Sequence, residues 1–252
     1  MKKTVSTFIA LAAAALIGTA AQAKDWSTIR IGTEGAYPPF NYFDSNSQLQ
    51  GFDVDIAKAL CEEMKAECTF VAQDWDGIIP ALLANKYDAI VASMSITDER
   101  KQQVDFTDKY YTNALNFVSM KGAPAEVTPE ALAGKTLGAQ SSTVSANVLE
   151  DKYKNSTIRL YPTQDEAYAD LAAKRLDAVL ADSGPTALWL KTDDANCCAF
   201  MGEPVVKDDE IGIAVRKEDT DLKEALNKAL AAIIENGTYK KINEKYFPFS
   251  IY

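Results

Sequence analysis

Histidine is missing from all 252 residues. Without an imidazole the chain can build no Ser–His or Cys–His nucleophile pair and no histidine-ligated metal centre, so acid–base chemistry is left to carboxylates. This favours a non-enzymatic role, with no catalytic residue, metal ligand or cofactor expected. Positive charge is scarce too. Against 36 Asp and Glu stand 26 Lys and Arg, for a formal charge of −10. That balance argues against nucleic acid and anionic membrane surfaces as partners and is compatible with a cationic ligand. Long apolar runs are also lacking. The main one, Phe8 to Ile17, is too short to cross a bilayer, so no membrane insertion is expected.

That short run follows Lys2-Lys3 and precedes Ala21-Gln22-Ala23, the order of a basic region, an apolar core and a small-residue cleavage site. Residues 1–23 therefore read as a removable secretion leader, and the mature chain as starting at Lys24. Removing the leader takes two lysines and no acid, which moves the charge from −10 to −12. No Cys follows the cleavage site, so no lipid anchor is expected. Cysteine is sparse, with four in the chain, and in an oxidising compartment these suggest disulfides. Cys61 and Cys68 lie at the end of one expected helix and the start of the next strand, which makes them the best pair. Cys197 and Cys198 are adjacent, and strain is expected to keep them unbonded.

What is present centres on Tyr87 to Arg100. Ala89 to Ala92 is a buried-strand run that breaks into Ser93-Met94-Ser95-Ile96-Thr97, and Thr97-Asp98-Glu99 starts a helix. A strand end rich in hydroxyls and backbone N–H groups, with Arg100 one turn on, can hold a carboxylate through a bidentate guanidinium. Upstream, Thr28 to Gly32 is a strand that runs into Thr33-Glu34 and a Gly- and Pro-stiffened loop to Phe40. Phe52, Ile56, Leu60 and Met64 recur at helical spacing, Thr69 to Val71 is a strand, and Trp75 opens a helix to about Leu83.

Residues 82–93 align without a gap on residues 171–182, so that helix, turn, Asp-Ala and buried strand recur and Ser93 falls opposite Asp182. Thr136 to Ala139 likewise runs into Gln140-Ser141-Ser142-Thr143 as the first strand runs into Glu34. Two related α/β units with ligand groups at the carboxyl ends of parallel strands follow from this. Ser142 and Thr143 taken alone suit helix capping equally well. Gly122-Ala123-Pro124 is a loop signal near the first crossing between the units, Lys207 to Glu210 reads as the return crossing, and Gly237 interrupts a helical stretch from Thr220 to Tyr246. Two such crossings make a natural hinge.

With these residues in view, the chain resembles the periplasmic polar-amino-acid-binding proteins of ABC transporters, nearest the lysine/arginine/ornithine and histidine binders. The resemblance spans Thr28 to Tyr252. It rests on GFDVDIAKALCEEM, the Cys61–Cys68 spacing, SMSITDER, DFTDKYY at 105–111 and NGTYKKINEKYF. It implies a two-lobe Venus-flytrap α/β fold: residues 24–111 with 211–252 as lobe one, 116–204 as lobe two, and 112–115 and 205–210 as hinge. It implies a monomer in the periplasm that passes an amino acid to an inner-membrane ABC permease. It also implies that Arg100, helped by Ser95 and Thr143, holds the ligand α-carboxylate, and that Asp182 with Ser93 holds the α-ammonium. Glu34 and Tyr37 receive the ligand side chain, and Trp75 covers it. Glu34 favours a cationic side chain, with arginine ahead of lysine and ornithine. Ala92 and Val144 stand where the nearest binders carry Ser and Gln, which keeps a bulkier opine-type conjugate open. A cyclohexadienyl-dehydratase-like enzyme and a sensory receptor are the other roles that the same scaffold permits.

Overall fold

The computed structural model describes residues 24–252; the expected leader lies outside the described residues. In chain order the elements are β1 (Thr28–Thr33), β2 (Ala36–Tyr37), β3 (Asn41–Phe43), β4 (Leu49–Gln50), α1 (Phe52–Met64), β5 (Glu67–Ala72), α2 (Ile78–Leu83), β6 (Ala89–Ile90), α3 (Asp98–Lys101) and β7 (Asp105–Met120). There follow β8 (Thr136–Gln140), α4 (Val144–Lys152), β9 (Thr157–Tyr161), α5 (Gln164–Ala172), β10 (Ala178–Asp182), α6 (Ser183–Trp189), β11 (Cys198–Val215), α7 (Thr220–Glu235) and α8 (Thr238–Tyr246). None of these helices is long and apolar enough to cross a membrane.

The main sheet runs β5-β1-β6-β11-β7-β10-β8-β9. It has two parallel halves, β5-β1-β6 and β10-β8-β9, joined by the antiparallel pair β11 and β7. Each half carries its own helices and core, which is the two-lobe α/β arrangement. In lobe one Ile29, Ile31, Phe52, Ile56, Leu60 and Ile213 pack with Leu222, Leu226 and Leu230 of α7. A second cluster gathers Ile78, Leu82, Tyr87 and Val104. In lobe two Leu115, Phe117, Leu137, Leu149 and Leu180 form one core, and Tyr168, Leu171, Leu176 and Val179 another. The helical spacing read in α1 puts Phe52, Ile56 and Leu60 fully inside; truncating such a phenylalanine to alanine costs about 3–5 kcal/mol.

The repeat seen in the sequence is physical. At matched positions Asn85 and Lys174 end α2 and α5 in the left-handed conformation, with φ 59° and 61°. Six-residue turns close both ends, Lys86 N–H donating to the Ala81 carbonyl and Arg175 N–H to the Asp170 carbonyl. Asp88 accepts from Arg30 N–H and Asp177 from Thr136 N–H, so each acid pins the start of its strand to the neighbouring one. Even the notch beneath is shared. A Cβ at Gly32 would lie 2.5 Å from the Tyr87 ring, and one at Gly138 2.5 Å from Leu176. Only a glycine on β1 and on β8 lets the residue before each Asp lie flat on the sheet.

Cys61 is disulfide-bonded to Cys68, tying α1 to β5. Cys197 is bonded to Cys198, against expectation. Side chains alternate faces along an extended strand, which would keep neighbouring sulfurs apart. Here Cys197 lies in the turn that ends at β11 and Cys198 is the first strand residue, so the alternation is broken between them.

Candidate ligand site between the lobes

Where β1 ends, Gly35 N–H donates to Asn41 Oδ1 (2.8 Å), which folds the loop back and leaves Glu34 and Tyr37 buried at the lobe boundary. Beyond β6 the chain turns sharply, with Ser93 at φ 53°. A buried network fixes that turn: Ser93 N–H meets the Tyr110 hydroxyl (3.1 Å), while Ser93 Oγ, Tyr110 and Asn41 all donate to Asp53. Burial lifts the Asp53 carboxyl to about 6 despite those donors. Thr97 then caps α3 by accepting from Arg100 N–H, which aims the Arg100 side chain along the lobe boundary. On lobe two, Thr143 caps α4, and Asp182 closes β10 just before α6.

These elements bring all eight expected residues together. Glu34, Tyr37, Trp75, Ser93, Ser95, Arg100, Thr143 and Asp182 line one cavity of about 30 Å³, with Ala92, Gln140, Val144, Ser145 and Gln164. The lobes meet around it. Tyr37 donates its hydroxyl to Asp182. Gln140 Nε2 donates to Glu34 (2.7 Å). Arg100 Nη2 and Trp75 Nε1 share the Ser142 carbonyl at 3.0 and 3.2 Å. At the rim Asp76 accepts from the hydroxyls of both Ser141 and Ser142.

Several side chains are engaged otherwise than expected. The Ser93 hydroxyl is turned to Asp53, and the Ser95 hydroxyl donates to Asp209 (2.8 Å). Thr143 spends its hydroxyl on Ala146 N–H and the Gln140 carbonyl, so the capping reading holds for it even though it lines the cavity. Trp75 stands over the Arg100 guanidinium at 5.3 Å.

The electrostatics divide the cavity. Arg100 donates through Nη1 to the Ser95 carbonyl (2.9 Å) and through Nη2 to Ser142. Burial lowers its pKa while Asp209 and Asp182 raise it. Asp182 is pushed up to about 7, first by burial and next by the Asp209 charge, against the Tyr37 hydrogen bond and the Arg100 charge. Asp209 is likewise raised by burial. At the other end burial carries Glu34 to about 7, with Gln140 opposing. Such a site can receive a zwitterion at one end and a cation or a hydrogen-bonding group at the other.

Sequence reasoning missed Asp53, Gln140, Gln164 and Asp209 as site or supporting residues. Gln140 ends β8 as Glu34 follows β1, a signal that was available. Asp209 gave only its place between exposed Asp208 and Glu210 in β11.

Two facing parallel half-sheets, an antiparallel crossing pair and a polar cleft at the carboxyl ends of the strands agree with what comparison shows. The sequence profile of the bacterial extracellular solute-binding proteins, family 3, matches residues 29–249. The chain belongs to that family. Over 232 residues this solute-binding protein is 45% identical to the L-arginine-binding protein of Pseudomonas aeruginosa, covering 89% of each chain. It is 39% identical over 264 residues to the lysine/arginine/ornithine-binding periplasmic protein of Escherichia coli, covering 100% of this chain and 99% of that one. An ancestral arginine-binding protein bound to arginine superposes on it with a TM-score of 0.83 at 37% identity, covering 88% of this chain and 98% of the other.

Proposed function

We propose that this solute-binding protein is a periplasmic receptor for a cationic L-α-amino acid, arginine ahead of lysine and ornithine, which it hands to an inner-membrane ABC permease. One observation carries the reading. A buried cation and a half-buried acid, Arg100 and Asp182, stand together at one end of a cleft whose other end holds a lone buried carboxylate, Glu34. The remaining N–H groups of Arg100 take the ligand α-carboxylate and Asp182 takes the α-ammonium. Glu34 then meets the side chain. A buried carboxylate needs a cation or a proton, so a glutamate side chain is rejected and a guanidinium is favoured, since it can fork onto Glu34. The ligand names carried by the relatives support the same chemistry. Residues 24–111 with 211–252 act as one lobe and 116–204 as the other, bending at 112–115 and 205–210. The protein acts as a monomer after loss of its leader, and it is not an enzyme.

An enzyme on this scaffold is favoured by one feature only, the near-neutral pKa of Glu34 and Asp182, which suits general acid work. Native mass spectrometry of protein purified without refolding, followed by calorimetry of arginine, ornithine, lysine, histidine, glutamine, glutamate and octopine, separates these roles. Intact arginine recovered from the complex, with arginine the tightest ligand, is expected. Glutamate or glutamine binding best would overturn the cationic reading, and a chemically altered ligand would overturn the receptor reading.

A further inference from the structure

Beneath the cleft, on a crossing strand, lies a buried acid for which the expected ligand contacts leave no task. Asp209 belongs to β11 and is 8% exposed. Its register partner on the other crossing strand is Asn113, itself 8% exposed, whose buried side-chain nitrogen has no hydrogen-bond partner among the described residues. Ser95 stands between Asp209 and the cleft. Its hydroxyl donates to the Asp209 carboxylate at 2.8 Å, and its carbonyl accepts from Arg100 at 2.9 Å. Asp209 itself does not line the cavity. The charged groups meeting here are Arg100 from α3, Asp182 from the end of β10 and Asp209 from β11, with the exposed Glu99 of α3 also acting on Arg100 and with Tyr37, Ser95 and Asn113 as neutral neighbours.

Two acids and one cation leave this end of the cleft with an excess of negative charge. If the ligand α-carboxylate occupies Arg100, as the receptor reading holds, both acids face the ligand's α-nitrogen. Like charges brought together away from water repel strongly unless a cation or a proton lies between them. We propose that Asp209 is a specificity-determining residue that acts from the hinge strand by doubling the negative charge facing the ligand's α-nitrogen. It makes an α-ammonium obligatory and rejects ligands whose nitrogen is missing or carries an acid. A deaminated arginine would bring its carboxylate to Arg100 and leave Asp182 and Asp209 facing each other. An opine adds a second carboxylate to the α-nitrogen, which meets the field of both acids. The room left by Ala92 and Val144 would admit an opine by size; Asp209 excludes it by charge.

The inference rests on the receptor reading, so its test is built on ratios. Calorimetry measures arginine, 5-guanidinopentanoate and octopine against wild type, Asp209→Asn and Asp209→Ser, with thermal melts to show that both variants are folded. In the variants the preference for arginine over each analogue is expected to narrow by at least about tenfold, a gap of about 1.4 kcal/mol. The pH dependence of arginine binding is expected to move to lower pH, because Asp182 loses a neighbouring negative charge. Ratios within about twofold of wild type in both folded variants would overturn the role of Asp209 and leave the receptor reading standing. A wild type that binds no cationic amino acid would overturn both.

Discussion

The two ends of the cleft are built on different principles. At the Arg100 end, charges of both signs lie within reach of one another, each held by groups from both lobes or from the crossing strands. At the Glu34 end a single buried carboxylate meets a neutral amide, Gln140. On the proposed reading, the first end takes what every α-amino acid shares. The second is incomplete in charge and, on the same proposal, selects among side chains. Binding strength should therefore be concentrated at one end and discrimination at the other.

The largest effect expected from breaking this comparison is at the shared end. Arg100→Ala should weaken arginine binding by about 2–5 kcal/mol, the range for truncating one partner of a buried charge pair, and should weaken every amino acid that binds by a similar amount. Titration calorimetry showing near wild-type affinity would remove Arg100 from the site.

At the selective end, Glu34→Gln should cost arginine about 1.5–3 kcal/mol while leaving glutamine nearly unchanged, since only a charged hydrogen bond is lost. Its pH signature sharpens the point. Glu34 and Asp182 sit near 7, above the ordinary carboxylate range, and a cation beside each favours the ionised form. Binding therefore expels protons, and arginine affinity should climb from about pH 5.5 to 7 and flatten above. Stability runs the other way. Both groups hold their protons more tightly in the folded chain than unfolded, so their contribution to stability is greatest at low pH and declines as pH rises from about 4 to 7. Calorimetry in buffers of different ionisation enthalpy, paired with melts across the same range, reads both slopes. In Glu34→Gln each slope should be shallower; slopes of the same sign would contradict the assignment.

The smallest effect belongs to the rim. Asp76 joins the lobes through the Ser141 and Ser142 hydroxyls without lining the closed cavity. Asp76→Ala should change affinity by less than about 1 kcal/mol, because exposed polar pairs are weak. The change should show in the dissociation rate by stopped-flow, with the arginine-to-glutamine ratio preserved.

Much of this architecture was readable in the chain. The 82–93 and 171–182 repeat foretold both half-sheets, because its helix-ending turn and strand-pinning Asp are local features written in a few adjacent residues. Eight of the residues lining the cleft were readable for a related reason, since they sit at strand ends and helix starts that motifs mark. Asp209 and Gln140 were not picked out. Their importance arises from which strand lies beside which: only the matching place of Gln140 on β8 and Glu34 after β1 hints at their pairing, and nothing near Asp209 in sequence reports that Asn113 stands opposite. The Ser93 and Thr143 hydroxyls were assigned to the ligand because a sequence shows a hydroxyl but not the Asp53 or helix N-terminus that claims it. The Cys197–Cys198 bond was missed because its feasibility turns on one backbone bend.

The antiparallel crossing pair has a consequence for how such proteins can be remade. The chain enters lobe two along β7 and leaves it along β11, and Leu115 is paired with Val206 where it does so. Both junctions of lobe two are thus neighbours on adjacent strands, and the register between them is irregular from Met201 to Asp209, so few ladder bonds must be matched there. A segment joined at two touching points is a cassette. Transplanted between relatives, it would carry Gln140, Thr143 and Asp182 as a unit onto a foreign Arg100 and Glu34. One exchange event would then create a new pairing of half-sites without unpicking either core.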